Sequence, residues 1–189
     1  MKDRVTLDDL REICRYAKSR TLEPFVEPLN DAMQEFEINA LKRRAAFIAQ
    51  VAQESGEFRY VREIASGAAY DTGAKAVALG NTPEDDDDGE RYRGGGLLQI
   101  TGRANYAACG AALGLDLLSQ PELLEGYANA ARSAGWFWRE HGLNELADRA
   151  EFRKITLRIN GGLNGYGERL AYYDRALRKL AGTINVYDK

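Results

Sequence analysis

Histidine is almost missing from this chain: His141 is the only one in 189 residues. That scarcity removes HExxH zinc sites and histidine-based nucleophile triads, and His141, placed after a helical stretch, reads as structural or solvated. The two cysteines, Cys14 and Cys109, lack CxxC spacing and sit in amphipathic patterns ("EICRYA", "NYAACGAAL") where small buried thiols are common. A disulfide framework is therefore not expected, and folding in a reducing cytosol is. Four prolines and 19 glycines exclude a collagen-like or linker-dominated chain. The opening "MKDRVTLDDLR" has no apolar signal-peptide core, and no window approaches about 18 consecutive apolar residues, so no membrane insertion is expected. No GxxxxGK[ST] motif occurs, and "GGGLLQ" breaks GxGxxG at its last position, so phosphate and dinucleotide cradles are unsupported. Basic residues are not interleaved with aromatics in a way that suggests nucleic-acid stacking, so no nucleic-acid partner is expected.

What is present is apolar residue at helical spacing and an uneven spread of charge. Hydrophobic residues make up 44% of the chain, enough to bury one sizeable core in a single domain, 1–189. The formal net charge is −3, yet five of the 29 acids form one run, "EDDDD" (84–88). Setting that run aside leaves 26 basic residues against 24 acidic, and the last 39 residues carry 8 Lys/Arg and 4 Asp/Glu. A basic C-terminal part suits an anionic polymer or an ordinary solvated face. The acidic run resembles an EF-hand loop with Gly89 as its sixth residue. Its twelfth position is Gly95, where a bidentate Glu is required, so no metal is expected and the run reads as a solvated loop.

Thr6 and Asp9 have the spacing of a capping box, followed by an apolar face of Leu7, Leu10, Ile13, Cys14 and Ala17. A second helix is expected over about 25–36, with Pro28 in its first turn and Leu29, Met33 and Phe36 inward. Asn39 is expected to cap a third helix, "ALKRRAAFIAQVAQES", with Leu41, Ala45, Ile48 and Ala52 as an inner stripe widened by Phe47 and Val51, ending near Gly56. Periodicity fades from 57 to 96. There "FRYVREI" reads as extended, one short helix precedes the acidic loop, and "GGGLLQIT" reads as a glycine turn feeding a short strand. Helical patterns resume over about 103–113, 121–140, 143–147, 151–159 and 168–181.

With the other chemistries excluded, carboxylates remain. Cleaving a glycosidic bond needs one protonated acid on the leaving oxygen and a second carboxylate for water or the sugar cation. In "QESGEFRYVRE", Glu54 ends a buried helical pattern, where desolvation favours the protonated form, and Glu63 lies in a segment that can face it. By itself, such a pair is also what a charged surface loop looks like.

Three ordered stretches, "AAFIAQVAQESGEFRYVRE", "YRGGGLLQITGRANY" and "RINGGLNG", resemble the family 19 glycoside hydrolases. The likeness runs from about residue 5 to residue 181 and is closest to the compact branch of bacteriophage and prophage endolysins, related to plant chitinases. It implies Glu54 as general acid, Glu63 as the carboxylate that activates water, and Thr101 as the hydroxyl that helps hold that water. It also implies that Gln99, Asn105, Tyr106 and Asn160 line the sugar cleft and that Arg169 pairs with the acids. Gln99 and Thr101 could instead satisfy backbone groups on a strand, Asn160 could take a left-handed turn before Gly161, and Arg169 could be a surface charge. Two departures stand out: Gln53 replaces a frequent His before the acid, and Gly95 replaces the arginine of a Gly-Arg-Gly turn, which should leave the turn more flexible.

The expected fold is mainly α (α+β), lysozyme-like and two-lobed, with a small irregular or β element beside the cleft. The expected function is inverting hydrolysis of β-1,4 bonds in peptidoglycan by an endolysin, with no cofactor, no metal and no separate wall-binding domain. Such a protein, monomeric, would be made in the host cytoplasm and reach the cell wall after holin-dependent release. The alternatives are a bacterial chitinase and a catalytically inactive wall-binding or structural phage protein.

Overall fold

The computed structural model describes residues 4–182. The Thr6 hydroxyl accepts from the Asp9 N–H at 3.2 Å while the Asp9 carboxylate accepts from the Thr6 N–H at 2.9 Å, so the capping box starts α1 (Leu7–Ile13) as expected. A short α2 (Ser19–Leu22) and a 3-10 turn, Glu23–Phe25, lead into α3 (Val26–Glu35), with Pro28 in its first turn. Leu29, Met33 and Phe36 are buried, as their spacing predicts.

Next comes α4 (Leu41–Glu54), the central helix. Its cap is Ala40, with no side-chain hydrogen bond, and not Asn39; the Asn39 carbonyl instead accepts from the Arg44 guanidinium at 2.8 Å. Every residue from Arg44 to Ala52 is buried, so the helix is enclosed on all sides and not along one stripe. Its alanines at 45, 46, 49 and 52 let neighbours approach closely. The long helix Tyr166–Leu180 packs along it, Phe47 meets Trp138 edge-on at 5.3 Å, and α3 packs on the helix Tyr127–Glu140.

The middle of the chain holds α5 (Gly73–Leu79) and α6 (Asp88–Arg91). The strand expected in "GGGLLQIT" does not form, and no strand occurs among the described residues. Two isolated antiparallel bridges, Arg62–Gly95 and Gly95–Ile100, stand in its place. The acidic run is only partly solvated: Glu84 to Asp87 are exposed, but Asp88 is buried, accepting from Arg103 at 3.2 Å and from the Thr82 N–H at 3.2 Å.

The helix α7 (Arg103–Leu113) keeps its expected bounds. The helix expected over 121–140 divides into a 3-10 turn, Pro121–Glu125, and α8 (Tyr127–Glu140), because Gly126 between them is extended. The chain closes with α9 (Leu143–Asp148), α10 (Phe152–Asn160) and α11 (Tyr166–Leu180). One hydrophobic cluster runs from Val5 to Leu180. Cys14 and Cys109 are free thiols within it, and burial pushes the Cys109 pKa up to about 12, so neither is poised to react.

Candidate active site

Glu54 is the last residue of α4, with 19% of its side chain exposed. The helix ends in a Schellman closure: the Glu57 N–H donates to the Ala52 carbonyl at 2.6 Å and the Gly56 N–H to the Gln53 carbonyl at 3.4 Å. Gly56 takes the left-handed φ of +58° expected of it, but so do Glu57 at +59° and Phe58 at +65°. Three successive left-handed residues therefore lead into the stretch read as extended, whose first residue, Phe58, is the last of them; Glu57 and Phe58 carry side chains that disfavour this conformation by on the order of 1–3 kcal/mol each. Ser55 holds the turn, accepting at its hydroxyl from Phe58 N–H (2.8 Å) and at its carbonyl from the N–H groups of Arg59 (3.0 Å) and Tyr60 (2.9 Å).

Arg169, from the first turns of α11, reaches the Glu54 carboxylate at 2.5 Å, and only 3% of its side chain is exposed. It is thus no surface charge. Its second nitrogen donates to the Gln50 amide oxygen, and Gln50 in turn donates to the Thr156 hydroxyl at 2.8 Å. Gln50 and Thr156 were not singled out by the sequence. Gln50 lies one helical turn before Glu54, which was the available signal; the pairing to a residue 119 positions away was not.

Glu63 is half-buried and held by the glycine turn. Its N–H donates to the Gly94 carbonyl at 2.8 Å, the Gly94 N–H donates back to its carboxylate at 3.1 Å, and the Tyr70 hydroxyl donates to the other carboxylate oxygen at 2.9 Å. Burial, and then this bond to Glu63, raises the pKa of Tyr70, which keeps it a donor. Tyr70, like Gln50 and Thr156, is a residue that sequence reasoning missed.

The glycine turn is not loose at Gly95. Gly95 exchanges both backbone hydrogen bonds with Ile100 (2.9 and 2.8 Å), and an added Cβ would lie 2.3 Å from the Tyr106 hydroxyl. Close packing, and not flexibility, is what glycine provides here, and it leaves no room for a side chain. Tyr106 is itself buried and donates to the Arg93 carbonyl at 2.7 Å, so it shapes the turn instead of facing solvent, contrary to its expected place on the cleft wall. The neighbouring Arg62 pairs with Glu125 at 2.5 Å.

The remaining expected residues surround this turn or end α10. Gln99 is left-handed (φ +54°), not in a strand, and its side chain donates to the Gly96 carbonyl at 2.9 Å. The Thr101 hydroxyl donates to the Gln99 carbonyl at 3.0 Å, and the exposed Asn105 donates to the Thr101 carbonyl at 2.7 Å. Asn160 stays helical while Gly161 takes the left-handed turn (φ +68°), and the Asn160 amide nitrogen is buried with no partner. The cavity of about 270 Å³ between Arg4, Asn30, Met33, Ile38 and Arg44 shares no residue with this set. Chemically, the assembly offers two carboxylates with separate supports, one against a buried guanidinium and one against a hydroxyl and a backbone amide.

Comparison with known proteins finds similar sequences and similar folds. A family model described as chitinase class I of glycoside hydrolase family 19 matches residues 36–150. A glycosyl hydrolase family 19 domain-containing protein of Haemophilus influenzae is 36% identical over 162 residues, covering 71% of this chain and 78% of that protein. An endochitinase of Arabidopsis thaliana is 36% identical over 124 residues, 65% of this chain; the match spans 41% of the plant protein. Among solved structures, chitinase C from Streptomyces griseus superposes with a TM-score of 0.73 at 20% identity, covering 95% of this chain and 77% of that one. A class IV chitinase from Zea mays gives 0.69 at 25% identity, covering 94% and 92%.

Proposed function

Because the chain belongs to the family 19 glycoside hydrolases, and so is a glycoside hydrolase, we propose that it cleaves the β-1,4 bonds of peptidoglycan as an endolysin, with Glu54 as general acid and Glu63 as general base. The observation that carries this reading is the different support of the two carboxylates. Arg169 fixes Glu54 from behind, at the end of a buried helix, while Glu63 is held from another part of the chain by Tyr70 and Gly94. In the proposed reaction Glu54 gives its proton to the leaving glycosidic oxygen, and Glu63 takes one from a water that attacks the anomeric carbon. Thr101, whose own proton is engaged by the Gln99 carbonyl, has oxygen lone pairs free to accept from that water. The partnerless Asn160 amide supports a further role, since a buried donor without an acceptor is costly unless a ligand or water takes it, and a sugar acetamide carbonyl fits. Gln99 and Asn105 complete the cleft wall, within a single catalytic domain.

A basic C-terminal helix, with Arg178 exposed near its end, supports an anionic substrate such as peptidoglycan. The second reading, hydrolysis of chitin, is favoured by the relatives named as chitinases. Digesting purified sacculi and chitin oligosaccharides side by side tests the choice. The endolysin reading expects release of soluble muropeptides, and borohydride reduction of the new ends then tells muramidase (muramitol) from glucosaminidase (glucosaminitol). Activity on chitin oligosaccharides alone would transfer the reading to a chitinase. In either case Glu54→Gln should lose about 10²–10⁴-fold in rate with the fold intact by circular dichroism, and a variant that keeps a tenth of the wild-type rate would remove Glu54 from the role.

A further inference from the structure

We infer that Glu57, a buried carboxylate that no step above uses, is a positioning residue: it clamps the left-handed turn at 56–58 and thereby fixes Glu54 relative to Glu63, an inference that rests on reading those two as acid and base. Glu57 is 3% exposed, three residues after one acid and six before the other. One of its carboxylate oxygens accepts from the Tyr16 N–H at 2.8 Å, and the other accepts from the Tyr172 hydroxyl at 3.0 Å. Those donors come from the segment after α1 and from α11. Tyr172 lies three residues beyond Arg169, so one helix holds both Glu54 and the turn that follows it. Arg175 stacks on the Tyr172 ring at 4.7 Å and donates to the Ile13 carbonyl at 2.8 Å, which fixes the donor.

A plain surface turn would place Gly or Asn at these positions, since Glu and Phe disfavour left-handed φ. Here two such residues follow Gly56, each with an anchor: the Glu57 carboxylate in its two donors, and the Phe58 ring, 2% exposed, against Phe25 at 5.3 Å. Strained backbone persists only where the surroundings over-determine it, and such sites gather where geometry matters to function. Without the Glu57 anchor the turn can relax, and the first displacement falls on the spacing of the two acids.

The test uses the full chain and a short soluble oligosaccharide, with rates normalised to folded protein. Glu57→Ala should lower kcat by on the order of 10- to 100-fold, as expected for a displacement of about 1 Å, with KM nearly unchanged because substrate contacts remain. Glu57→Gln should retain kcat within about threefold, since its amide oxygen still accepts from Tyr16 and its N–H₂ can donate to the Tyr172 oxygen. Glu57→Gly, which removes the strain together with the anchor, should lose less kcat than alanine, because glycine holds the left-handed φ without cost. Should Glu57→Ala fail to fold, Tyr172→Phe, which deletes one donor, takes its place with a smaller loss in the same parameter. Wild-type kcat in the folded alanine or phenylalanine variant, or a loss in Glu57→Gln equal to that in alanine, overturns the clamp. Glu54→Gln is measured alongside: if it stays active the acid–base reading fails and the clamp with it, whereas a dead Glu54→Gln beside a fully active Glu57→Ala removes the clamp alone.

Discussion

At position 95 a Cβ would sit 2.3 Å from the Tyr106 hydroxyl, which is itself held by the Arg93 carbonyl. Gly95→Ala should therefore cost about 1–3 kcal/mol, the usual scale of overpacking, and part of that should return in a Tyr106→Phe background, where the clashing oxygen is gone. Urea denaturation of the four proteins in that cycle measures the coupling, and additive single effects would mean that the turn yields elsewhere. Arg169 carries the opposite lesson, a charge that cannot be removed cheaply. Taking away one partner of a buried pair typically costs about 3–5 kcal/mol; with Glu54 still 19% exposed, Arg169→Met should fall toward the lower end of that range. A loss below about 1 kcal/mol in the same experiment would mean that solvent already screens the pair. Neither contact is legible in a sequence read alone. The arginine came from resemblance, and the glycine was read as freedom because nothing in "GGG" indicates that a tyrosine hydroxyl fills the space above it.

The elements separate what local chemistry dictates from what packing decides. The α1 capping box, the 103–113 helix and the left-handed Gly56 follow from residues within one or two turns, and they stand where expected. The failures share one cause. Glu57 and Phe58 are left-handed against their own preference because tertiary partners hold them, and the stretch 97–101, bridged to Gly95 at Ile100 alone, has no strand among the described residues to extend that pairing. The acidic loop mixes both. Asp88 is drawn into the fold by Arg103, while Asp85, farther out, interacts with Asp71 and has its pKa raised, first by that side-chain hydrogen bond and then by the repulsion. A carboxyl whose folded pKa lies above its ordinary 3.8 contributes most at low pH and loses that contribution as pH rises through the folded value. Asp85→Asn, which can donate to Asp71 at every pH, should therefore raise the melting temperature at pH 7. The gain should shrink as acid protonates the native Asp85. Thermal unfolding of both proteins across that range checks it, and a gain that persists unchanged at low pH would assign the effect to something other than the carboxyl pair.

Across the whole molecule, the proposed acid and base are supported by different regions. Glu54 leans on Arg169, 115 positions away, and Glu63 on Gly94, 31 positions away, so their separation is set by how the C-terminal helix and the glycine turn dock on α4 and its following loop. Neither support draws the two carboxylates together; Arg169 bonds Glu54, and Tyr70 and Gly94 bond Glu63. The proposed inverting reaction requires carboxyl groups roughly 6.5–9.5 Å apart with a water between base and sugar, whereas a retaining one requires about 5–5.5 Å, which brings a nucleophile onto the anomeric carbon. In the proposed inverting reaction Thr101 would hold the water that Glu63 deprotonates, whereas a retaining enzyme calls on water only in its second step, to hydrolyse the glycosyl-enzyme. The first product from a β-linked oligosaccharide should therefore be the α-anomer, and no glycosyl-enzyme should accumulate with slow substrates. Proton NMR of a fresh digest, read before mutarotation equalises the anomers, gives the outcome directly. An initial β-anomer would make Glu63 a nucleophile, or show that the second carboxylate lies elsewhere in the cleft.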